Sequence, residues 1–340
     1  MRTVMVIHPE FDRSWPFAAV RFEQLFRQSG ELEVIRLETG SASRVGDVVR
    51  HPETVTRLIS LQVEITRECV LRFSALEEAV IESTYQSAEP PSEIIETLRE
   101  QNIQWYTQPT EGFWGQSVAE FALALTLCGL RRIPQTHHEM ISSLDPWNYD
   151  SPDGVGRPGS RGFQFGDDSR FANGTIEGKR VRIVGAGNVA SRYASFVRML
   201  GADVAAWDPY AAEPCFHRAG ARKEWHLDSL VLDADIFAPM LPLTPQTREI
   251  VTADHIRSLP KGTLVVLATR AEICDMKELR RRVLADEISL AADVFDIEPL
   301  PLNDSLLGRH NVVHTPHNAG RTKEANYRYA ENLYLQFRKL

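Results

Sequence analysis

Residues 181–210 read VRIVGAGNVASRYASFVRMLGADVAAWDPY. An apolar run, Val181 to Val184, meets Gly185-Ala-Gly187-Asn188-Val189-Ala190; a helical pattern then continues to about Leu200, and a second apolar run ends at Asp208. Strand, sharp turn, helix and second strand are the parts of a dinucleotide-binding βαβ unit. Gly185 permits the tight turn, Gly187 lets the backbone approach a pyrophosphate, and Ala190 is small enough for the helix to pack on the strand. Asn188 and Val189 open that helix, where free N–H groups and the dipole favour an anion. Asp208 stands at the spacing expected of a carboxylate that accepts from both ribose hydroxyls. A carboxylate there repels a 2′-phosphate, and no Arg follows immediately. NAD (NADH) is therefore expected over NADP.

The pattern spreads outward from this unit. After Asp208 come "ADIFAPM" (234–240), "GTLVVLA" (262–268) and "ISLAADVF" (288–295), each between amphipathic stretches. Before it, the first hundred residues alternate "TVMVI", "FAAVRFEQLFRQSG", "LEVIRL", "LEEAVIES" and "PPSEIIETLREQN". Short apolar runs alternating with helical patterns predict parallel sheets, so an α/β protein of two doubly wound domains is expected. Between the two series, "SVAEFALALTLCGLRRI" (117–133) is apolar on nearly every face, which suits a buried linking helix or a subunit interface. Residues 145–174 carry three prolines and six glycines and read as a long loop. Ala330, Leu333, Tyr334 and Phe337 recur at helical spacing, which predicts a terminal helix over 323–338.

Composition narrows the partners. The 340 residues are 43% hydrophobic and 25% charged, with a net charge of −8. Nothing in that balance favours neutralising phosphates, so neither nucleic acid nor an anionic membrane is expected as a partner. The four cysteines form no CxxC pair, which argues against a structural zinc site or a disulfide framework. The first apolar run is too short for a signal peptide, and no stretch elsewhere is read as approaching 18 apolar residues; a cytoplasmic enzyme or binding protein with a small-molecule partner is the expectation.

The motifs downstream of the glycine loop occur in a telling order: "LPLTPQT" (241–247), "VVLATRAEICD" (265–275), "AADVFDIEPLP" (291–301) and "HTPHNAG" (314–320). With them, residues 117 to 325 resemble the D-2-hydroxyacid dehydrogenases, the family that includes the glyoxylate/hydroxypyruvate reductases and phosphoglycerate dehydrogenase. The resemblance implies two Rossmann-like domains: a flavodoxin-like substrate domain of residues 1–110 plus 319–340, and an NAD-binding domain of residues 111–318. It also implies a homodimer formed through the cofactor domain, and a D-2-hydroxy acid or 2-keto acid as substrate.

The catalytic positions carried over have matching physical rationales. Arg270 follows a strand, at the carboxyl end where doubly wound folds bind ligands, and matches the arginine that clamps the substrate carboxylate and polarises the reacting carbonyl. His317 matches the acid/base histidine and Glu298 the acid paired with it; a carboxylate orients the ring and stabilises the imidazolium. Asp293 resembles the residue that contacts the nicotinamide carboxamide, and a strand-end Asp also caps turns. A metal site at His314 and His317 is not expected: residues three apart on a strand point to opposite faces, Pro316 forbids a helix, and no third ligand is in view.

The chain also departs from the family. The region of the usual Gly-x-Gly substrate loop is "IESTYQSAEPP" (81–91), without glycine, so Tyr85, Gln86 and Ser87 are candidates for side-chain contacts to a polar, hydroxylated acid. Ala271 follows the catalytic Arg in place of Gly, and Met240 stands where a His is common. Trp114, at the approximate place of an Asn in the related formate dehydrogenases, suggests an aromatic wall and a larger pocket. The triad points to an NAD-dependent oxidoreductase. An NAD(H)-sensing, corepressor-like protein and an enzyme with retained NAD catalysing net isomerisation are the alternatives.

Overall fold

The computed structural model describes residues 2–82, 90–108, 111–144, 148–149, 160–161 and 173–338. The chain divides into two compact units, Met1–Trp114 with Arg321–Leu340, and Gly115–Gly320.

In the first unit the apolar runs become β1 (Thr3–Ile7), β2 (Leu32–Arg36), β3 (Arg57–Leu61), β4 (Glu78–Glu82) and β5 (Gln104–Tyr106). They form one parallel sheet in the order β2-β1-β3-β4-β5. Every residue of β1, β3 and β4 is buried, as parallel strands covered by helices on both faces require. The order reverses between β1 and β3, and such a switch point leaves a crevice at the carboxyl ends of the strands. One face is covered by helix Pro16–Ser29, whose Phe22 and Phe26 are buried, and by the terminal helix Lys323–Tyr334. Thr322 caps the latter, its hydroxyl accepting from the Ala325 N–H at 3.1 Å. The helix is shorter than the predicted 323–338, but Tyr329, Ala330, Leu333 and Phe337 are all in the core.

Strand β4 holds a buried acid at each end. Glu78 accepts from Arg57 Nε at 2.7 Å, Tyr106 Oη at 2.6 Å and the Arg338 N–H at 2.8 Å. Burial pushes its carboxyl up, but these donors outweigh burial and hold it below the usual carboxylate range. Glu82, at the other end, is the opposite case and is taken up below.

Before the second unit's sheet, two-residue strands β6 (Asn148–Tyr149) and β7 (Ser160–Arg161) pair antiparallel inside the segment expected to be a loop. The sheet itself contains β8 (Arg180–Val184), β9 (Asp203–Trp207), β10 (Arg222–Lys223), β11 (Ile236–Pro239), β12 (Leu264–Leu267), β13 (Ser289–Ala292) and β14 (Val312–His314). All are parallel, in the order β10-β9-β8-β11-β12-β13-β14. The reversal falls between β8 and β11, so the glycine loop after β8 lies at this sheet's switch point.

The apolar helix predicted at 117–133 lies, up to Arg131, in one helix. Gly115–Arg131 ends where Arg132 turns left-handed (φ 49°), and Ile133–Ser142 starts anew. Pro134 is the cause, since in a continuous helix its ring would strike the carbonyl four residues back. Contrary to the reading of the sequence, the stretch Gly112–Arg131 is long and apolar enough to cross a membrane. Its Val118, Ala119, Ala122, Leu125, Thr126 and Gly129 are buried, and helix Gly115–Arg131 packs against helix Asn188–Met199 and strands β12 and β13. Close packing needs the small residues: a Cβ on Gly129 would stand 2.8 Å from Leu264 Cδ1. Within this contact the buried Tyr193 hydroxyl donates to Thr126 Oγ1 at 2.8 Å, while Thr126 donates to the Ala122 carbonyl.

Candidate active site

The carboxyl end of β8 is shaped for a nucleotide. Gly185 has φ 115°, and a Cβ there would be 2.7 Å from the Met240 carbonyl oxygen, so glycine is required on both counts. A Cβ built on Gly187 would meet nothing within 4 Å. Gly187 and Asn188 are exposed and Val189 is half-buried. Gly187 is also the N-cap of helix Asn188–Met199, and no side chain caps that helix. Its first N–H groups thus remain for an anion.

Asp208 is 8% exposed, at the end of β9. Its Oδ2 accepts from the Ala186 N–H at 2.8 Å, and its Oδ1 from the Tyr210 and Ala211 N–H groups at 2.9 and 3.0 Å. It therefore ties the glycine loop to the next strand. A carboxylate has about four acceptor positions, so one stays for a ribose hydroxyl. The sequence spacing had no signal for this second job. Together the glycines, the uncapped helix and the carboxylate fit a dinucleotide.

Past the end of β13, residues 293–319 assemble a dyad. His317 Nδ1–H donates to Glu298 Oε2 at 2.6 Å, and Glu298 Oε1 accepts from the Phe295 N–H at 2.8 Å. The His317 side chain is 42% exposed and that of Glu298 34%, so the pair is open to solvent and the ring's Nε2 is not engaged by Glu298. His317 has φ 53°, a conformation uncommon outside glycine, which needs support from its surroundings.

Asp293 supplies that support. It is fully buried, and accepts from Thr315 Oγ1 at 2.6 Å and the Asn318 and Ala319 N–H groups at 3.1 and 2.8 Å. Of the two roles expected for Asp293, turn capping is the one displayed: it clamps the loop on both sides of the histidine. Thr315, not singled out in the sequence, is part of the clamp; its only sequence signal is its place in "HTPH".

Arg270 follows β12 and is half-buried. Its Nη1 donates to the Thr269 carbonyl at 2.8 Å, and it has no carboxylate partner within 4 Å among the described residues. A strand-end arginine without a salt bridge keeps donors for an anionic ligand. His314 ends β14 and belongs to no three-residue ligand cluster among the described residues.

The remaining candidates belong to the first unit. Trp114 stacks on Trp15 at 6.0 Å and meets Phe113 edge-on at 4.2 Å, inside an aromatic cluster with Tyr329. Tyr85, Gln86 and Ser87 lie outside the described residues.

The chain is similar to known proteins. The family described as D-isomer specific 2-hydroxyacid dehydrogenase, NAD binding domain, matches residues 157–319. A D-3-phosphoglycerate dehydrogenase of Methanocaldococcus jannaschii is 29% identical over 210 residues, 62% of this chain and 36% of that protein. A glyoxylate reductase of Thermofilum pendens is 30% identical over 233 residues, 66% of this chain and 62% of its own length. The chain thus spans about a third to three fifths of the length of these relatives. Among solved structures, the NAD-complexed D-isomer specific 2-hydroxyacid dehydrogenase of Lactobacillus delbrueckii ssp. bulgaricus has the same fold, with TM-score 0.69 and 16% identity over 98% of this chain and 95% of that one.

Proposed function

Starting from a chain that belongs, through its NAD-binding residues 157–319, to the D-isomer specific 2-hydroxyacid dehydrogenase family, we propose that it interconverts a D-2-hydroxy acid and a 2-keto acid with NAD as cofactor. The observation that carries the reading is the 2.6 Å bond from His317 Nδ1 to Glu298. A carboxylate on Nδ1 fixes the tautomer and leaves Nε2 as the atom that exchanges a proton. In reduction Nε2–H delivers its proton to the forming alkoxide, and in oxidation Nε2 takes the proton from the hydroxyl. Glu298 holds the ring through both directions and stabilises the imidazolium. The Asp293 clamp keeps the histidine backbone in place.

Arg270 binds the substrate carboxylate and polarises the carbonyl, which its lack of a salt bridge among the described residues supports. Gly185, Gly187, Asn188, Val189 and Asp208 would hold NADH, which would supply the hydride for reduction. Trp114 and the 85–87 segment are assigned to the substrate side chain. A homodimer fits the second unit, whose consecutive helices Gly115–Arg131 and Ile133–Ser142 expose Leu127, Ile133, Met140 and Ile141.

The test is NADH and NADPH consumption against a panel of 2-keto acids from glyoxylate to sugar-derived acids, in the wild type and in His317→Ala. Turnover with NADH that His317→Ala abolishes, with NADH binding intact, supports the assignment. Loss of NADH binding in that variant overturns the role given to His317. Tight NADH binding without turnover of any acid overturns the dehydrogenase reading.

A further inference from the structure

The first unit carries a cavity of about 300 Å³ at the carboxyl edge of its own sheet. His8 from the end of β1, Gln62 from the end of β3, and Ser41, Ser43 and Glu64 contribute to its lining. β1 and β3 are the strands between which the order reverses, so the cavity occupies the switch point where open α/β sheets bind ligands. The ladders align Ile7 with Leu61 and Leu61 with Glu82, which brings the ends of three strands to one level.

Glu82, 6% exposed, is bonded to the lining residue Gln62. Its Oε1 accepts from Gln62 Nε2 at 3.3 Å, at the long end for such a bond. Its Oε2 has no partner among the described residues. An acid so placed is uncommon, because a buried carboxyl left unpaired destabilises the fold. Glu78 on the same strand shows the usual remedy, three donors, so the vacancy at Glu82 is not a general property of β4.

We propose that this cavity is a binding subsite for a neutral, hydroxyl-rich group such as the polyol end of a sugar acid, with a ligand O–H donating to Glu82 Oε2 once the Gln62 side chain swings aside. The lining matches hydroxyls, which both donate and accept. His8 Nδ1 accepts from the Glu10 N–H, which leaves Nε2–H as a donor, and Ser41 and Ser43 both carry hydroxyls. A phosphate or a second carboxylate is disfavoured by Glu64 and Glu82, and the neighbouring cation, Arg44, is paired with Glu64 at 3.3 Å. An ammonium carries only donors and leaves the Gln62 and His8 donors without an acceptor. The subsite stands whether or not the chain is a dehydrogenase, since occupancy needs no turnover.

Calorimetry on the full chain decides it, with D-gluconate, hexanoate, 6-phosphogluconate and 1-amino-1-deoxy-D-glucitol as probes. Gluconate is expected to bind at least about tenfold more tightly than the other three. Glu82→Leu, which fills the site with an apolar chain of similar size, is expected to remove that preference and leave hexanoate binding unchanged. Gln62→Asn keeps a residue that tolerates its left-handed backbone (φ 58°) and is too short to bridge; it is expected to change gluconate affinity alone. Equal binding of hexanoate, tighter binding of the phosphorylated or amino compound, or unaltered gluconate affinity in both folded variants overturns the proposal.

Discussion

Glu82→Gln isolates the energetic consequence of one buried carboxyl. Burial raises the Glu82 carboxyl from 4.5 to about 7, and the single bond from Gln62 only partly counters it. Between those two values the folded chain holds a proton that the unfolded chain has released, so stability falls as pH rises. The contribution is fully present below about pH 4.5, is lost through about pH 7 and stays lost above it. A displacement of that size is worth about 3 kcal/mol at 1.36 kcal/mol per pH unit. The Gln variant has no such dependence. Its amide keeps the acceptor for Gln62 and leaves the two N–H donors of its NH2 unsatisfied, a pH-independent penalty of about 1–3 kcal/mol for each. Urea unfolding of both proteins from pH 4.5 to 8, read as the change in their difference, removes that offset. The gap is expected to move by about 3 kcal/mol in favour of Glu82→Gln as pH rises. Parallel profiles would refute the reasoning, because they would mean that Glu82 ionises as an ordinary carboxyl.

Three further outcomes follow from the second unit. Gly185→Ala places a methyl 2.7 Å from the Met240 carbonyl on a backbone at φ 115° and is expected to lower stability by about 3 kcal/mol, measured by denaturant melts. Glu298→Gln is expected to cut kcat by about 10²–10⁴-fold while NADH affinity, followed by fluorescence, is unchanged; unaltered kcat would remove Glu298 from the dyad's function. Asp293→Asn leaves one acceptor oxygen for three donors and should destabilise the 315–319 loop by about 2–4 kcal/mol, visible as faster amide exchange at Asn318 and Ala319.

The glycine loop and the alternating apolar runs were legible in the sequence because each rests on local physics. A tight turn needs glycine, parallel strands buried on both faces are apolar throughout, and a cofactor's phosphates need a helix start within a few residues. His317 and Glu298 came instead from the resemblance of their motifs to a known family; 19 residues separate them, and only the fold places Nδ1 against the carboxylate. The break at Arg132 has its sequence signal in Pro134, one residue past the predicted helix.

What the tertiary structure alone decided is which polar groups meet which. Asp208 and Asp293 each hold three donors of their own chain, and Glu78 and Glu82, four residues apart on one strand, have opposite electrostatic fates. Sequence spacing carries backbone conformation and the alternation of buried faces, which are properties of neighbouring residues. Hydrogen-bond satisfaction and desolvation depend on groups brought from distant positions, so Tyr106, Arg57 and Arg338 find Glu78 while Glu82 meets Gln62 alone among the described residues.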